Sequence, residues 1–326
     1  MPWNRVLTIS DPLLCRTAFE GGDVEILPTA KGSFQADITQ VGFNRLRMSR
    51  YNISVPQVSA ATLDPGRTMI NFLTEPSSAR YCGTKMTIGD IIINKSDAVH
   101  QVADSNLSVG AMSLPIDELI TATEAVIGHD LSNELVVRPS PALMSRLLKL
   151  HQSAGQLARD VADILDLPEV CRALEEQLVH VMVRCLAEGA SVETTRGSQR
   201  HEAVMTRFEA YLEAHPDQPL YLTEICAALG VAERTLRAYC EEHLGMGPIR
   251  FLTLRRMHLV RRALLHAEPS TVTVTRIATD HGFWELGRFS VAYRALFGEP
   301  PSKTLGRPAN RTAISLNRPS SLVSAV

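Results

Sequence analysis

Two stretches of the chain read as one pattern written twice: Leu222-Thr223-Glu224-Ile225-Cys226-Ala227-Ala228-Leu229-Gly230-Val231 and Val274-Thr275-Arg276-Ile277-Ala278-Thr279-Asp280-His281-Gly282-Phe283. Each carries apolar residues at helical spacing, reaches a glycine and resumes on an apolar residue. Glycine takes positive φ without a Cβ clash, so it can end one helix and turn tightly into the next. After one extra residue the match continues, setting Leu236 against Phe289, Cys240 against Tyr293, Leu244 against Phe297, Gly245 against Gly298 and Pro248 against Pro301. An internal duplication of a helix-turn-helix unit accounts for this correspondence.

Within each unit, Ile225 and Leu229, or Ile277, are expected to face Leu236 or Phe289 and make a small core. The outward residues of the second helix are then free to enter a major groove, which is wide enough for one α-helix. In the first unit these are Arg234, Arg237 and Ala238, with Glu233 and Thr235 beside them as partners for cytosine and phosphate. The planar fork of arginine suits guanine O6 and N7, a pairing worth about 1–3 kcal/mol of base discrimination. The bland alternative for both arginines is a solvated helix face. The second unit exposes Leu286, Gly287, Arg288, Val291 and Arg294, so it is expected to read fewer bases. Trp284 is read as a packing or phosphate-side residue. Between the units, Pro248 to Leu265 is amphipathic and long enough for one continuous helix. A rigid helix there would place the two readers on one DNA face about 34 Å apart, one helical turn. Arg250, Arg255 and Arg262 are its candidate phosphate contacts.

The stretch from about Arg200 to Arg307 resembles the DNA-binding domain of AraC/XylS-type transcription regulators. The resemblance rests on Ile277-Ala278 followed by Gly282-Phe283, on Phe289 with Tyr293, on Phe297-Gly298-Glu299-Pro300-Pro301-Ser302, and on Arg256-Met257 and Arg261-Arg262-Ala263-Leu264-Leu265 in the linking helix. It implies base contacts at Arg234, Arg237 and Arg288, with Ser290 and Arg294 near the DNA backbone. It implies promoter DNA and RNA polymerase as partners. Leu286, Gly287 and Val291 depart from the polar or basic residues often found in that family. The resemblance also suggests a cupin-like sensor domain in the first half, open to a small effector.

Upstream, the chain from about Gly22 to Leu135 is strand-like. Phe43-Asn44-Arg45-Leu46-Arg47-Met48 alternates in period two, and Met69 to Leu73, Ile91 to Ile93 and Val109 to Leu114 are further apolar runs. Many short antiparallel strands in a small barrel are expected. After Pro139 the spacing becomes helical, and Ala142 to Leu186 offers apolar faces either for packing on the barrel or for homodimerisation. The predicted fold class is α+β multidomain. Residues 1–20 form an N-terminal tail, 21–187 the β-rich barrel with its helical segment, 188–199 a linker, 200–308 an all-α domain of two helix-turn-helix units, and 309–326 a disordered tail.

The 326 residues are 45% hydrophobic and 21% charged, the balance of a packed globular chain. The formal net charge of -2 means that any nucleic-acid contact must come from a local patch. The six cysteines form no C-x-x-C pair, which argues against a structural zinc or a disulfide framework and fits a reducing, cytoplasmic setting. No run is long and apolar enough to span a bilayer, so no membrane partner is expected. The alternative function is a cupin-type enzyme with a helical appendage, which would need several histidines and a carboxylate converging in the barrel. Only His100 lies among the strands, so neither catalysis nor a metal or other cofactor is expected. Arg45, Arg47 and Arg80 are the candidates for meeting an anionic effector, the alternative being outward, solvated charge.

Overall fold

Period-two alternation in the first third produces strands whose inward residues meet across two antiparallel sheets. The protein is described here from a computed structural model, over residues 2–94, 98–127, 136–191, 196–215, 218–307 and 315–316. The strands run β1 (Trp3–Ile9), β2 (Gly22–Pro28), β3 (Ala36–Gly42), β4 (Arg47–Ile53), β5 (Gln57–Leu63), β6 (Arg67–Leu73), β7 (Ala79–Tyr81), β8 (Thr84–Met86), β9 (Ile91–Asn94), β10 (Ala98–Ala103) and β11 (Leu107–Pro115). Next come α1 (Ile116–Ile127), β12 (Val136–Arg138), α2 (Pro141–Asp160), α3 (Pro168–Glu188) and β13 (Ala190–Ser191). The helical part comprises α4 (Arg196–Glu213), α5 (Leu222–Leu229), α6 (Glu233–Leu244), α7 (Pro248–His266), α8 (Val274–Asp280), α9 (Leu286–Phe297) and α10 (Pro301–Leu305), before a short β14 (Ser315–Leu316). One sheet has the order β13-β12-β9-β6-β11-β4-β3-β1-β14, and the other β2-β5-β10-β7-β8. Leu73, Ile92 and Val109 from the first sheet and Tyr81, Met86 and Val99 from the second share one core.

Four expectations are corrected. Residues 1–20 are not a tail: β1 pairs along its whole length with β3 and buries Leu7 and Ile9, and Asp11 caps a 3-10 turn at Pro12–Thr17. The alternating run 43–48 is not one strand. Phe43 N–H donates to Leu46 O (2.8 Å) in a tight turn, and both side chains are buried, so the apparent alternation is two inward anchors of a turn. The strand-like region also ends early, because Ile116–Ile127 is helical. Asp117 and Glu118 lie in its first turn, where the helix dipole favours negative charge, and Leu119 and Thr123 are buried at i and i+4. Finally, the expected linker 188–199 is largely occupied: Glu188 ends α3, Ala190–Ser191 is β13 and 196–199 open α4. Residues 192–195 lie outside the described residues, as does the expected tail 309–326 apart from Ser315–Leu316.

The apolar faces of α2 and α3 are taken up by the larger sheet. Leu147, Ala154, Leu178 and Met182 join Phe43, Leu46, Met48, Phe72 and Met112 in a single cluster. Ser140 caps α2, accepting from Leu143 N–H (3.4 Å), and Pro141 occupies its first turn, where a missing N–H costs nothing. A buried carboxylate ties helix to sheet: Glu175 Oε1 on α3 accepts the N–H groups of Arg45 and Leu46, each at 2.8 Å. No described helix is long and apolar enough to cross a membrane.

Replacing Glu175 by alanine strands two buried donors, and hydrogen bonds to an ionised group are the strong ones. The expected loss for Glu175→Ala is about 2–3 kcal/mol of unfolding free energy in urea. A loss under about 0.5 kcal/mol, the range of neutral surface changes, would show that the turn does not depend on it.

Candidate nucleic-acid interface

The duplication read in the sequence is a duplication in space. α5 ends at Gly230 (φ 64°) and α6 closes at Gly245 (φ 66°); in the second unit Gly282 (φ 78°) follows α8 and Gly298 (φ 76°) closes α9. All four occupy the left-handed region, where a side chain would be strained. In the first unit Ile225, Leu229, Leu236, Cys240 and Leu244 pack with Phe208 of α4. In the second, Ile277, Ala278, Phe289 and Tyr293 pack with Leu305 of α10. The expected pairings across each turn are therefore present.

The Gly298-Glu299-Pro300-Pro301 segment fixes the second unit from behind. Tyr293 O–H donates to Thr304 Oγ1 (2.9 Å), which donates to Glu299 Oε1 (2.9 Å), while Arg307 donates to Glu299 Oε2 (2.7 Å). Arg261 lies 3.7 Å from the same carboxylate and over the Phe297 ring at 4.7 Å. This set of donors gathered on the buried Glu299 carboxylate holds α9 at one angle to α10.

On the outer face of α6, Glu233, Arg234, Arg237 and Ala238 are exposed and Thr235 is half-buried. Arg237 donates to Glu233 Oε1 (3.0 Å) one turn away. Such an exposed pair is worth only about 0.3–0.5 kcal/mol, so a DNA partner can displace it at small cost. On α9, Arg288, Ser290 and Arg294 are exposed, and Arg288 pairs with Glu285 at 2.7 Å. Setting Leu236 on Phe289 places Gly287 and Val291 where α6 has Arg234 and Ala238. Val291 is 73% exposed and Trp284 is 74% exposed, which removes the packing role expected for Trp284.

Five arginines and no acidic residue lie on α7, yet they do not share one task. Arg250 is exposed. Arg255 is not a phosphate contact: it is 7% exposed, and its guanidinium donates to the carbonyls of Leu212 and His215, each at 3.0 Å. Arg256 lies over the Phe283 ring at 5.3 Å, and Arg262 faces a cleft toward the β-domain.

Residues 225–307 match the family described as "Helix-turn-helix domain". The probable thc operon regulatory protein of Rhodococcus erythropolis is 32% identical over 206 residues, 60% of this chain and 60% of its own length. XylDLEGF operon transcriptional activator 2 of Pseudomonas putida is 31% identical over 99 residues, 30% of this chain and 63% of its own length. The C-terminal region is an AraC/XylS-type helix-turn-helix domain. The chain spans less than two thirds of the length of these curated relatives. Among solved structures, the AraC-like transcriptional activator CuxR aligns with 79% of this chain and 94% of its own, at 12% identity and a TM-score of 0.42.

The AraC-type domain is seated on the smaller sheet, through residues the sequence did not single out. His258 of α7 donates from Nε2 to Pro28 O of β2 (2.9 Å), and Arg80 of β7 donates to Glu242 O of α6 (2.9 Å). Leu27 and Val58 enter the same apolar cluster as Phe208, Leu244 and Phe251. His100 of β10 places Nδ1 2.7 Å from Glu209 Oε1 of α4 and Nε2 3.0 Å from His243 Nδ1 of α6. One proton is shared along the bond between His100 Nε2 and His243 Nδ1, and the tautomers set which ring donates. Burial, then the charges of His100, His201 and Arg80, hold the His243 pKa down at about 4. These partners lie more than 100 residues apart, so no local sequence signal could pair them.

Strand alternation puts the neighbours of His100 on the opposite face of β10. Val99 and Gln101 line a cavity of about 90 Å³ between the sheets, together with Tyr51, Asn71 and Tyr81. Tyr51 O–H donates to Gln101 Oε1 (3.3 Å), and the buried Asn71 amide lies beside the Tyr81 hydroxyl. The arginines offered for an anionic effector are not there. Arg45 pairs with Glu118 (3.5 Å), Arg47 with Asp64 (2.8 Å) and Arg80 with the Glu242 carbonyl, and none lines this cavity.

The seat has a pH dependence with a definite sign. Burial holds the His258 pKa down at about 4, against an opposing effect of the Pro28 bond and with help from the Arg261 charge. An unfolded histidine binds a proton below about 6.5. Stability present at neutral pH is therefore lost as pH falls from about 6.5 toward about 4, by up to about 3 kcal/mol for this one ring. His258→Gln keeps a donor for Pro28 O and has no proton to gain. Its unfolding free energy should fall less steeply than that of the parent over this window; identical slopes would contradict the assignment.

Proposed function

We propose that the protein is a sequence-specific regulator of promoters, binding double-stranded DNA with α6 and α9 and using the β-domain to modulate that binding. The observation that carries this reading is the pair of helix-glycine-helix units with outward helices, held on one unbroken α7. Helix α7 has 19 residues and is about 28 Å long, which suits readers placed one DNA turn apart. The relatives named above are regulators of operons, which supports the same reading. No catalytic step is assigned to the β-domain, and RNA polymerase would be met through the DNA-bound form.

The two readers are unequal. Arg234 and Arg237 reach for guanine edges and phosphate, with Glu233 and Thr235 beside them, and Ala238 leaves room for a close approach. On α9, Gly287 offers no side chain and Val291 suits a thymine methyl, while Arg288, Ser290 and Arg294 hold the backbone. The cavity between the sheets would take a small, mostly apolar effector.

Binding to duplexes selected from a random pool tests this. Arg234→Ala and Arg237→Ala should each cost about 1–3 kcal/mol, roughly 5–150-fold, on the selected site and much less on random duplex. Equal losses on both would sink the base-reading assignment.

A further inference from the structure

The C-terminal turn of α6 carries chemistry that DNA reading does not use. A ring nitrogen of His201 on α4, a carboxylate oxygen of Glu242 and a ring nitrogen of His243 lie within 4.8 Å of one another. His201 Nδ1 is already 2.7 Å from Glu242 Oε2. His243 is 1% exposed, and its Nε2 has no hydrogen-bond partner. A buried unpartnered nitrogen costs free energy unless something occupies it. The ring cannot readily turn away, since it lies against the β7–β8 turn. There a Cβ on Gly83 (φ 77°) would come within 3.0 Å of His243 Nε2.

We propose that His201, Glu242 and His243 bind one divalent transition metal of the zinc class, joining α4 to the end of the first recognition helix beside the β-domain. Two imidazoles and a carboxylate favour zinc or a near neighbour over magnesium or calcium, which prefer all-oxygen sites. Bond lengths of about 2.1 Å put ligand atoms about 3.4 Å apart on a tetrahedral zinc, so the side chains need move only about 1 Å. With Nε2 given to the metal, His243 keeps Nδ1–H for His100, and Glu209 orients His100 in turn. A ligating histidine that donates its other N–H to a fixed acceptor is the arrangement that holds a metal ligand in place. The metal would thereby tighten the contact of α6 with β10.

The test uses the full chain, stripped of metal with a chelator, and Zn²⁺ alone as the probe in competition with a chromogenic chelator. One Zn²⁺ per chain is expected, with affinity lowered at least tenfold in both His201→Ala and Glu242→Gln. Zn²⁺ should raise the melting temperature of the parent and not of the variants, and Mg²⁺ should raise neither. Both substituted side chains are partly exposed, so melting curves without metal verify that the variants fold. Co²⁺ should bind without a thiolate charge-transfer band, which separates this site from the cysteines. Absence of stoichiometric zinc binding, equal affinity in parent and variants, or a thiolate band overturns the proposal. The readout involves no DNA, so its failure is distinct from failure of the promoter reading.

Discussion

Helix α7 is the constraint on which the arrangement depends, because it belongs to both reader cores at once. Phe251, Leu252 and Leu254 on its first half pack with the first unit, and Met257, Val260 and Leu264 on its second half pack with the second unit. A helix buried around most of its girth cannot bend without opening one of these cores. The spacing of α6 and α9 is thus fixed by packing rather than by the turns that flank α7. The same helix reaches the β-domain through His258, so the readers and the smaller sheet share one support.

The helical half was legible because its information is local. Glycines at 230, 245, 282 and 298 each need positive φ, and the apolar residues before and after them recur at helical spacing, so the sequence alone places both units and the continuous α7. The edges of the β-domain were less legible. Residues 3–9 carry strand formers in Trp3, Val6, Thr8 and Ile9, but nothing local shows that they pair, because their burial depends on β3, some 30 residues away. The 43–48 run shows how a turn with two buried anchors imitates alternation. Charged residues were hardest to place. Arg255 reads as a phosphate contact until Leu212 in α4 and His215 just beyond it are seen to present carbonyls to it, and His100 reads as an isolated histidine until α4 and α6 bring Glu209 and His243 to its two nitrogens.

That last contact gives the β-domain a physical route to the first reader. On β10, Gln101 faces the cavity while its neighbours His100 and Val102 face α4 and α6. Anything that shifts the strand from the cavity side must disturb the seat of α6, since one backbone carries both faces. The second reader meets the smaller sheet less directly: Phe297 of α9 packs edge-on against His258, at 5.1 Å between ring centroids, and His258 bonds Pro28 O.

The fixed spacing is the central claim, and insertion of base pairs into a selected site tests it most directly. About five added base pairs between the two contacted segments turn them onto opposite faces of the duplex. A rigid α7 predicts that affinity drops to the non-specific level, about 10³-fold or more weaker. Binding that survives the insertion unchanged would contradict it.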